Sequence, residues 1–393
     1  MRLAATGAPH LTYCTNIHPG ETWAEVRDNI TTYVRAVKAR IAPDRPFGVG
    51  LRLSAAAAAT LTVPAELEAF RALLEESGLY VFTINGFPYG TFHGTPVKEG
   101  VYRPDWLEDA RLDYTDNLAH ILAALLPADC EGSISSVPGA FKARVLGDAD
   151  AAAIAARIAA HVATLHELQR RRGVTIALAL EPEPCCQLET IAETVAFFER
   201  HLFRQRVPGL DAAASEAALR RHVGVCLDAC HMAVEFETPR DALATLAAHG
   251  VRVVKIQVSA GLAATIESPA DLEGLRAFAD EVYLHQVVER TPRGLVRWTD
   301  LPAALDEATR APRHREWRIH FHVPLFRERL GRFASTQAYV RELLALVRTA
   351  APTSHLEVET YTWDVLPEEF RREPIVDAVA RELAWVIAEM TAP

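Results

Sequence analysis

The stretch Thr175-Ile176-Ala177-Leu178-Ala179-Leu180-Glu181 decides the fold. Successive side chains of an extended strand point to opposite faces. Ile176, Leu178 and Leu180 therefore share one apolar face, which sends Ala177, Ala179 and Glu181 to the other. In a closed barrel one parity packs on the surrounding helices and must be apolar, while the other fills the interior.

Working outward, three more segments repeat the pattern. In Val223–Asp228, Val225 and Leu227 face the helices and Cys226 and Asp228 face in. In Val251–Ser259, Val254, Ile256 and Val258 face out, leaving Lys255, Gln257 and Ser259 inside. In Leu356–Tyr361, Leu356 and Val358 do the same for Glu357 and Glu359. Each strand ends in an inward polar or acidic group at its C-terminal end, the face on which barrel active sites are built.

Further strand candidates are Leu11–Ile17, Phe47–Ser54, Tyr80–Gly86, Ser133–Val137 and Trp317–Val323. Helical patterns lie between them. One has Pro64 in its first turn, an apolar stripe of Leu67, Phe70, Leu73 and Leu74, and Gly78 as its stop. Another is marked by Ile154, Ile158, Val162, Leu165 and Leu168. Such alternation specifies parallel strands joined by crossover helices. Eight strands close a barrel. The extra one, Trp317–Val323, follows a largely polar stretch, Leu262–Glu316, longer than an ordinary crossover. The expectation is an α/β fold, a (β/α)8 TIM barrel, forming one domain over residues 1–393 with an insertion at about 262–316 before the last strand.

The chain has 393 residues, with 41 basic against 51 acidic side chains and a net charge of −10. That balance argues against a nucleic-acid partner, which needs Lys and Arg to displace phosphate counterions. Half the residues are hydrophobic, enough for a large core. The N-terminal residues lack the apolar core of an export signal. The longest uncharged apolar stretch, Leu53–Ala65, is interrupted by Thr60, Thr62 and Pro64 and is too short to span a bilayer. A cytoplasmic protein is expected. The six cysteines then read as reduced thiols. Cys226-x3-Cys230 with Cys185-Cys186 makes a weak case for a thiolate zinc site, because no CxxC knuckle occurs.

Glu181, Asp228, Gln257 and Glu359 are expected to converge at one barrel mouth. Three carboxylates without a basic partner repel one another, and a divalent metal is the simplest resolution. Asp228-Ala229-Cys230-His231 adds an imidazole just past its strand, and Arg318, His320 and His322 share one face of the extra strand. Alone, any of these is commonly a helix cap, a solvated loop residue or a half-buried strand histidine; convergence from separate strands favours a site. Lys255 and Glu357, one layer deeper, read as a buried ion pair. Arg52 is a candidate grip for a carboxylate or phosphate. Asn16, His18, Asn85 and His93 come from strand-end loops, and Phe87-Pro88-Tyr89 with Phe92 could form an apolar wall.

These residues carry a resemblance. Leu-Glu-Pro-Glu-Pro (180–184), Val-Cys-Leu-Asp-Ala-Cys-His (225–231), Val-Lys-Ile-Gln-Val-Ser (254–259), Ile-His-Phe-His (319–322) and Glu-Val-Glu-Thr (357–360) resemble the xylose-isomerase-like TIM barrel superfamily. That group includes sugar epimerases, sugar-phosphate isomerases and the endonuclease IV type of repair enzyme. Tyr-Cys-Thr-Asn-Ile-His-Pro-Gly-Glu-Thr-Trp (13–23) and Phe-His-Gly-Thr-Pro-Val-Lys (92–98) are similar to the EboE metabolite traffic proteins. The resemblance implies metal ligands at Glu181, Asp228 and Glu359, and a metal- or substrate-binding role for His231. Gln257 stands where the superfamily has histidine, which favours Mn²⁺ or Mg²⁺ over Zn²⁺ or implies relaxed metal binding. His320 and His322 occupy the place of a pair that holds a further metal in the nuclease-like members.

The leading expectation is metal-assisted isomerisation or epimerisation of a small polyhydroxy or sugar-like metabolite, with Glu181 and Glu359 moving the proton. The alternatives are a metal-dependent phosphoester hydrolase, which would draw on His93, His320 and His322, and a non-catalytic metabolite carrier. Small molecules, and proteins of the same gene cluster, are the partners this implies.

Overall fold

The computed structural model describes residues 1–94, 96–311 and 313–392. Thr95, part of the 92–98 motif, lies outside the described residues. Seven strands come first: β1 (His10–Tyr13), β2 (Phe47–Arg52), β3 (Leu79–Asn85), β4 (Gly132–Ser136), β5 (Ile176–Leu180), β6 (Val223–Asp228) and β7 (Arg252–Val258). After them the chain forms β8 (Ala260–Ile266), β9 (Val287–Thr291), β10 (Gly294–Trp298), β11 (Arg315–Val323), β12 (Arg329–Leu330) and β13 (Phe333–Ser335), and ends its strands with β14 (His355–Val358).

The eight strands β1-β14-β7-β6-β5-β4-β3-β2 pair in parallel, and a bridge from Cys14 to Gly50 brings the two ends together. Helices between the strands cover the outside, giving a (β/α)8 barrel. The helix Asp148–Arg172 shows how locally consistent the sequence is. It opens with Asp148 and Asp150, buries Ile154, Ile158, Val162, Leu165 and Leu168, ends on three arginines, and stops at Gly173 with φ of 70°. Acids at the first turn and cations at the last complement the helix dipole, and a left-handed glycine closes the end.

The interior is packed with side chains. Ala177, Ala179 and Cys226 form a small buried cluster with Val254. Val254 was expected on the helix side. The pairing of β6 with β7 shifts between Val225 and Cys226, and this bulge turns Val254 inward. Lys255 Nζ lies 2.5 Å from Glu357 Oε2, with both side chains fully buried. A Cβ at Gly50 would sit 2.0 Å from Glu357 Oε1, so glycine is required for that carboxylate to fit.

The second sheet is antiparallel, in the order β10-β9-β11-β8-β13-β12. It starts at Ala260, directly after the barrel residue Ser259, and runs to Ser335, beyond the expected 262–316 at both ends. Trp317–Val323 belongs to β11 at its centre, between β8 and β9. The apolar run after Ser259 reads as the tail of a barrel strand, which hides the point where the chain leaves the barrel. Among the described residues, no helix is long and apolar enough to cross a membrane.

Candidate metal centre at the barrel mouth

Glu181 follows the last residue of β5, Asp228 ends β6, Gln257 lies near the end of β7, and Glu359 follows β14. Carboxylate oxygens of Glu181, Asp228 and Glu359 all lie within 4.8 Å of one another. Each acid is held by the fold. Asp228 Oδ1 accepts from the His231 backbone N–H at 2.9 Å and from Ser259 Oγ at 2.7 Å. Glu359 Oε1 accepts from Asn16 Nδ2 at 2.7 Å and Asn85 Nδ2 at 3.0 Å. The remaining oxygens tell a different story: Glu181 Oε2 and Asp228 Oδ2 are buried with no partner among the described residues. Both amide atoms of the fully buried Gln257 are likewise unpartnered. Burial, and then the neighbouring carboxylates, push Glu181 and Glu359 well above the usual range.

Beside this oxygen cluster stand three imidazoles. His231 Nδ1 faces the Pro182 carbonyl at 3.0 Å and His322 Nδ1 the Glu359 carbonyl at 2.9 Å. A carbonyl only accepts, so in both rings Nδ1 carries a hydrogen, and in the neutral ring the lone pair is then on Nε2. His320 Nδ1 faces Gln286 Oε1 at 2.7 Å. The amide orientation is fixed by Gln286 Nε2, which donates to Tyr102 Oη, Glu183 Oε1 and the Pro184 carbonyl. In their neutral forms all three rings thus present Nε2 lone pairs to one another, at 3.1 Å for His231–His320 and 3.3 Å for His320–His322. Asp228 Oδ2 lies 3.9 Å from Nε2 of both His231 and His322. Burial holds His320 well below its ordinary value and His322 down at about 4, so neither ring charges readily near neutrality.

Facing lone pairs without a proton between them are repulsive, as are three buried acids. Both sets fit a bound cation. Ligands about 2.0–2.1 Å from a tetrahedral ion stand roughly 3.4 Å apart, close to the imidazole spacing, and second ring nitrogens bound to carbonyls are the usual support of metal-ligating histidines. Four such donor groups occur among the described residues: Glu181/Asp228/Glu359, Asp228/His231/His322, Glu183/His231/His320 and Cys230/His320/His322. Asp228 is shared by the first two. The Cys230 thiol is kept neutral by burial, and all six cysteines are free. No donor group contains two cysteines.

A cleft of about 520 Å³, counting its open mouth, lies over these groups. Asn16, Asn85, Glu181, His231, His320 and Glu359 line it, with Phe87, Pro88 and Phe92 on the apolar side. Other candidates lie elsewhere. The Arg52 guanidinium is engaged through its terminal nitrogens by the Gly20 and Gly90 carbonyls and by Glu21 at 3.0 Å, which ties loops together, while its buried Nε has no partner among the described residues. His18 bonds Tyr13 Oη at 3.0 Å and stacks on Tyr33. His93 packs edge-on against Phe92 and joins none of the four donor groups. Arg318 turns to the Ala233 carbonyl and the ring of Phe236. Glu183, Tyr283, Leu284 and Tyr361 line the cleft without having been singled out. Glu183 stood in the quoted Glu-Pro-Glu-Pro run, where its spacing from Glu181 was the available signal. Tyr283 and Leu284 lie in the insertion, where no period marks them.

Fold and mouth together define a TIM barrel with a donor-rich C-terminal face. Over 99% of both chains this fold is shared with a xylose isomerase-like TIM barrel protein from Mycobacterium smegmatis in complex with magnesium, at 10% identity and a TM-score of 0.52. Looser likenesses are to the IolI protein with a bound zinc atom (11% identity, 98% and 100% of the two chains, TM-score 0.46) and D-psicose 3-epimerase with D-tagatose from Clostridium cellulolyticum H10 (12%, 96% and 96%, 0.47). No family model and no curated sequence matches the chain.

Proposed function

We propose that this protein is a metal-dependent isomerase or epimerase of a small polyhydroxy metabolite. The observation that carries the reading is the convergence of Glu181, Asp228 and Glu359, with oxygens left unpartnered, at the floor of a cleft. Glu181, Asp228 and Glu359 would hold a divalent ion, with the Gln257 amide oxygen as a further donor. Oxygen donors suit Mn²⁺ or Mg²⁺, whereas His231, His320 and His322 suit Zn²⁺. Such an ion supplies Lewis acidity to a carbonyl oxygen and its neighbouring hydroxyl.

The chain's own residues provide the rest. Glu181 and Glu359 approach the cleft from different strands, so one carboxylate removes the proton from carbon and the other returns it. Asn16 and Asn85 restrain Glu359 through one oxygen, leaving the other for the substrate. His231, anchored through Nδ1, is placed to steady a substrate oxygen. The EboE-type assignment and partners from the same gene cluster belong to the same reading and rest on the 13–23 and 92–98 motifs; a cytoplasmic setting is proposed beside them.

The test is solvent-deuterium incorporation at the carbon beside the carbonyl of candidate ketoses, with metal content measured by mass spectrometry. Stoichiometric metal that disappears in the Glu181→Ala/Asp228→Ala double variant, and exchange lost in Glu181→Gln, are expected. A wild-type protein that takes up no divalent ion defeats the reading. A second reading, metal-dependent phosphoester hydrolysis, is favoured by the imidazole trio sharing Asp228 with the acids, since paired ions can clamp both oxygens of a displacement. Phosphate release from phosphoesters without deuterium exchange would select it.

A further inference from the structure

We propose that the substrate is uncharged at the end remote from the metal and presents there an apolar ring face, received by a wall of Phe92, Tyr283 and Tyr361. This rests on the isomerase reading for the reacting end and goes beyond it for the other.

The three rings are in mutual contact. Their centroids lie 5.1 Å apart for Phe92–Tyr283, 5.4 Å for Phe92–Tyr361 and 5.1 Å for Tyr283–Tyr361. All three line the cleft. Tyr361 joins this wall to the donor groups, its ring 4.7 Å from His322 and its Oη 3.4 Å from His320 Nε2. A ligand whose oxygens reach the acids therefore lays its remaining atoms along aromatic carbon. Offset and edge contacts between rings add to the gain from burying apolar area.

Charge points the same way. Among the described residues, no Lys or Arg lines the cleft. The nearby cations are instead spent on building the wall. Lys98 Nζ donates to the Tyr283 carbonyl at 2.6 Å and the Asp280 carbonyl at 3.0 Å, and pairs with Asp300 at 2.8 Å. Arg52 gives its terminal nitrogens to Gly20, Gly90 and Glu21, and the guanidinium does not line the cleft. An anionic group here would lose its hydration without a charged donor to replace it. The Val97 backbone N–H also donates to the Val282 carbonyl at 2.9 Å, tying Val97 to the inserted segment next to Tyr283.

Three probes with the same hydroxyketone head separate the cases: 2-hydroxyacetophenone, dihydroxyacetone and dihydroxyacetone phosphate, titrated calorimetrically into Mn²⁺-loaded protein. The aryl ketone is expected to bind about tenfold or more tighter than dihydroxyacetone. That preference should collapse in Phe92→Ala and in Tyr283→Ala, and persist in Tyr283→Phe, which keeps the ring and guards against a folding artefact. Dihydroxyacetone phosphate binding as tightly as the aryl ketone, an aryl ketone that does not bind, or a preference indifferent to both alanine variants would each overturn the proposal. Deuterium exchange into the bound ketone reads the isomerase reaction separately. Aryl preference without exchange leaves this inference standing and removes that reading.

Discussion

Two layers of the same barrel, two residues apart on the same strands, handle buried charge in opposite ways. In the lower layer Lys255 of β7 meets Glu357 of β14 at 2.5 Å, and its Nζ also reaches Thr83 Oγ1. Thr83 Oγ1 accepts from Ser133 Oγ, which in turn contacts His355 Nδ1. In the upper layer Gln257 and Glu359 stand two residues further along the same strands, with Glu181 and Asp228 beside them, and among the described residues no Lys or Arg is hydrogen-bonded to these acids. Below, the chain supplies its own counter-charge and the charges are structural. Above, it leaves the charge open, and what it leaves open is suited to an ion from solution.

The largest expected effect breaks the lower layer. Lys255→Met strands Glu357 in the interior and should cost about 3–5 kcal/mol of stability by urea unfolding. In the upper layer the sign reverses: Glu181→Gln removes a repelling acid and should leave the metal-free protein as stable as wild type or more so. Next, Mn²⁺ or Zn²⁺ at about 100 times its Kd should stabilise wild type by about 2.7 kcal/mol in thermal melts, and the Glu181→Ala/Asp228→Ala variant by much less. Gln257→His should tighten Zn²⁺ about tenfold in competition with a chromophoric chelator.

A pH dependence probes the lower layer separately. Burial, followed by His10 and Lys255, pulls His355 from 6.5 down to about 3. The unfolded chain therefore takes up this proton first. The stability contribution of neutral His355 is complete above about pH 6.5 and is lost as pH falls toward about 3. The slope of stability against pH in that window should be shallower in His355→Gln. An unchanged slope would show that His355 is not the group that carries this dependence.

The barrel was legible because its strands alternate. The parity of Ile176–Leu180 puts Glu181 on the inner face, and the same argument reaches Asp228, Gln257 and Glu359. The bulge at Val254 escaped it, since a period of two carries no sign of an extra residue. The second sheet was harder to read. β8 is apolar but follows Ser259 without a turn signal and so reads as its continuation, β9 and β10 are short and partly polar, and β11 alone stands out as a separate strand. Arg52 and His18 were sensible candidates by position. What they do depends on loop carbonyls and on Tyr33, which sequence spacing does not locate.

The inserted sheet delivers His320 and His322 to acids that belong to the barrel, so an ion seated there adds a further link between parts of the chain already joined by hydrogen bonds such as that of His322 Nδ1 to the Glu359 carbonyl. Native-state hydrogen exchange should then show β8, β9 and β11 opening as a unit in chelator, with their protection rising toward that of the barrel strands once the ion is added. In such a molecule metal supply would set how often one half of the site parts from the other, as well as whether the site can react.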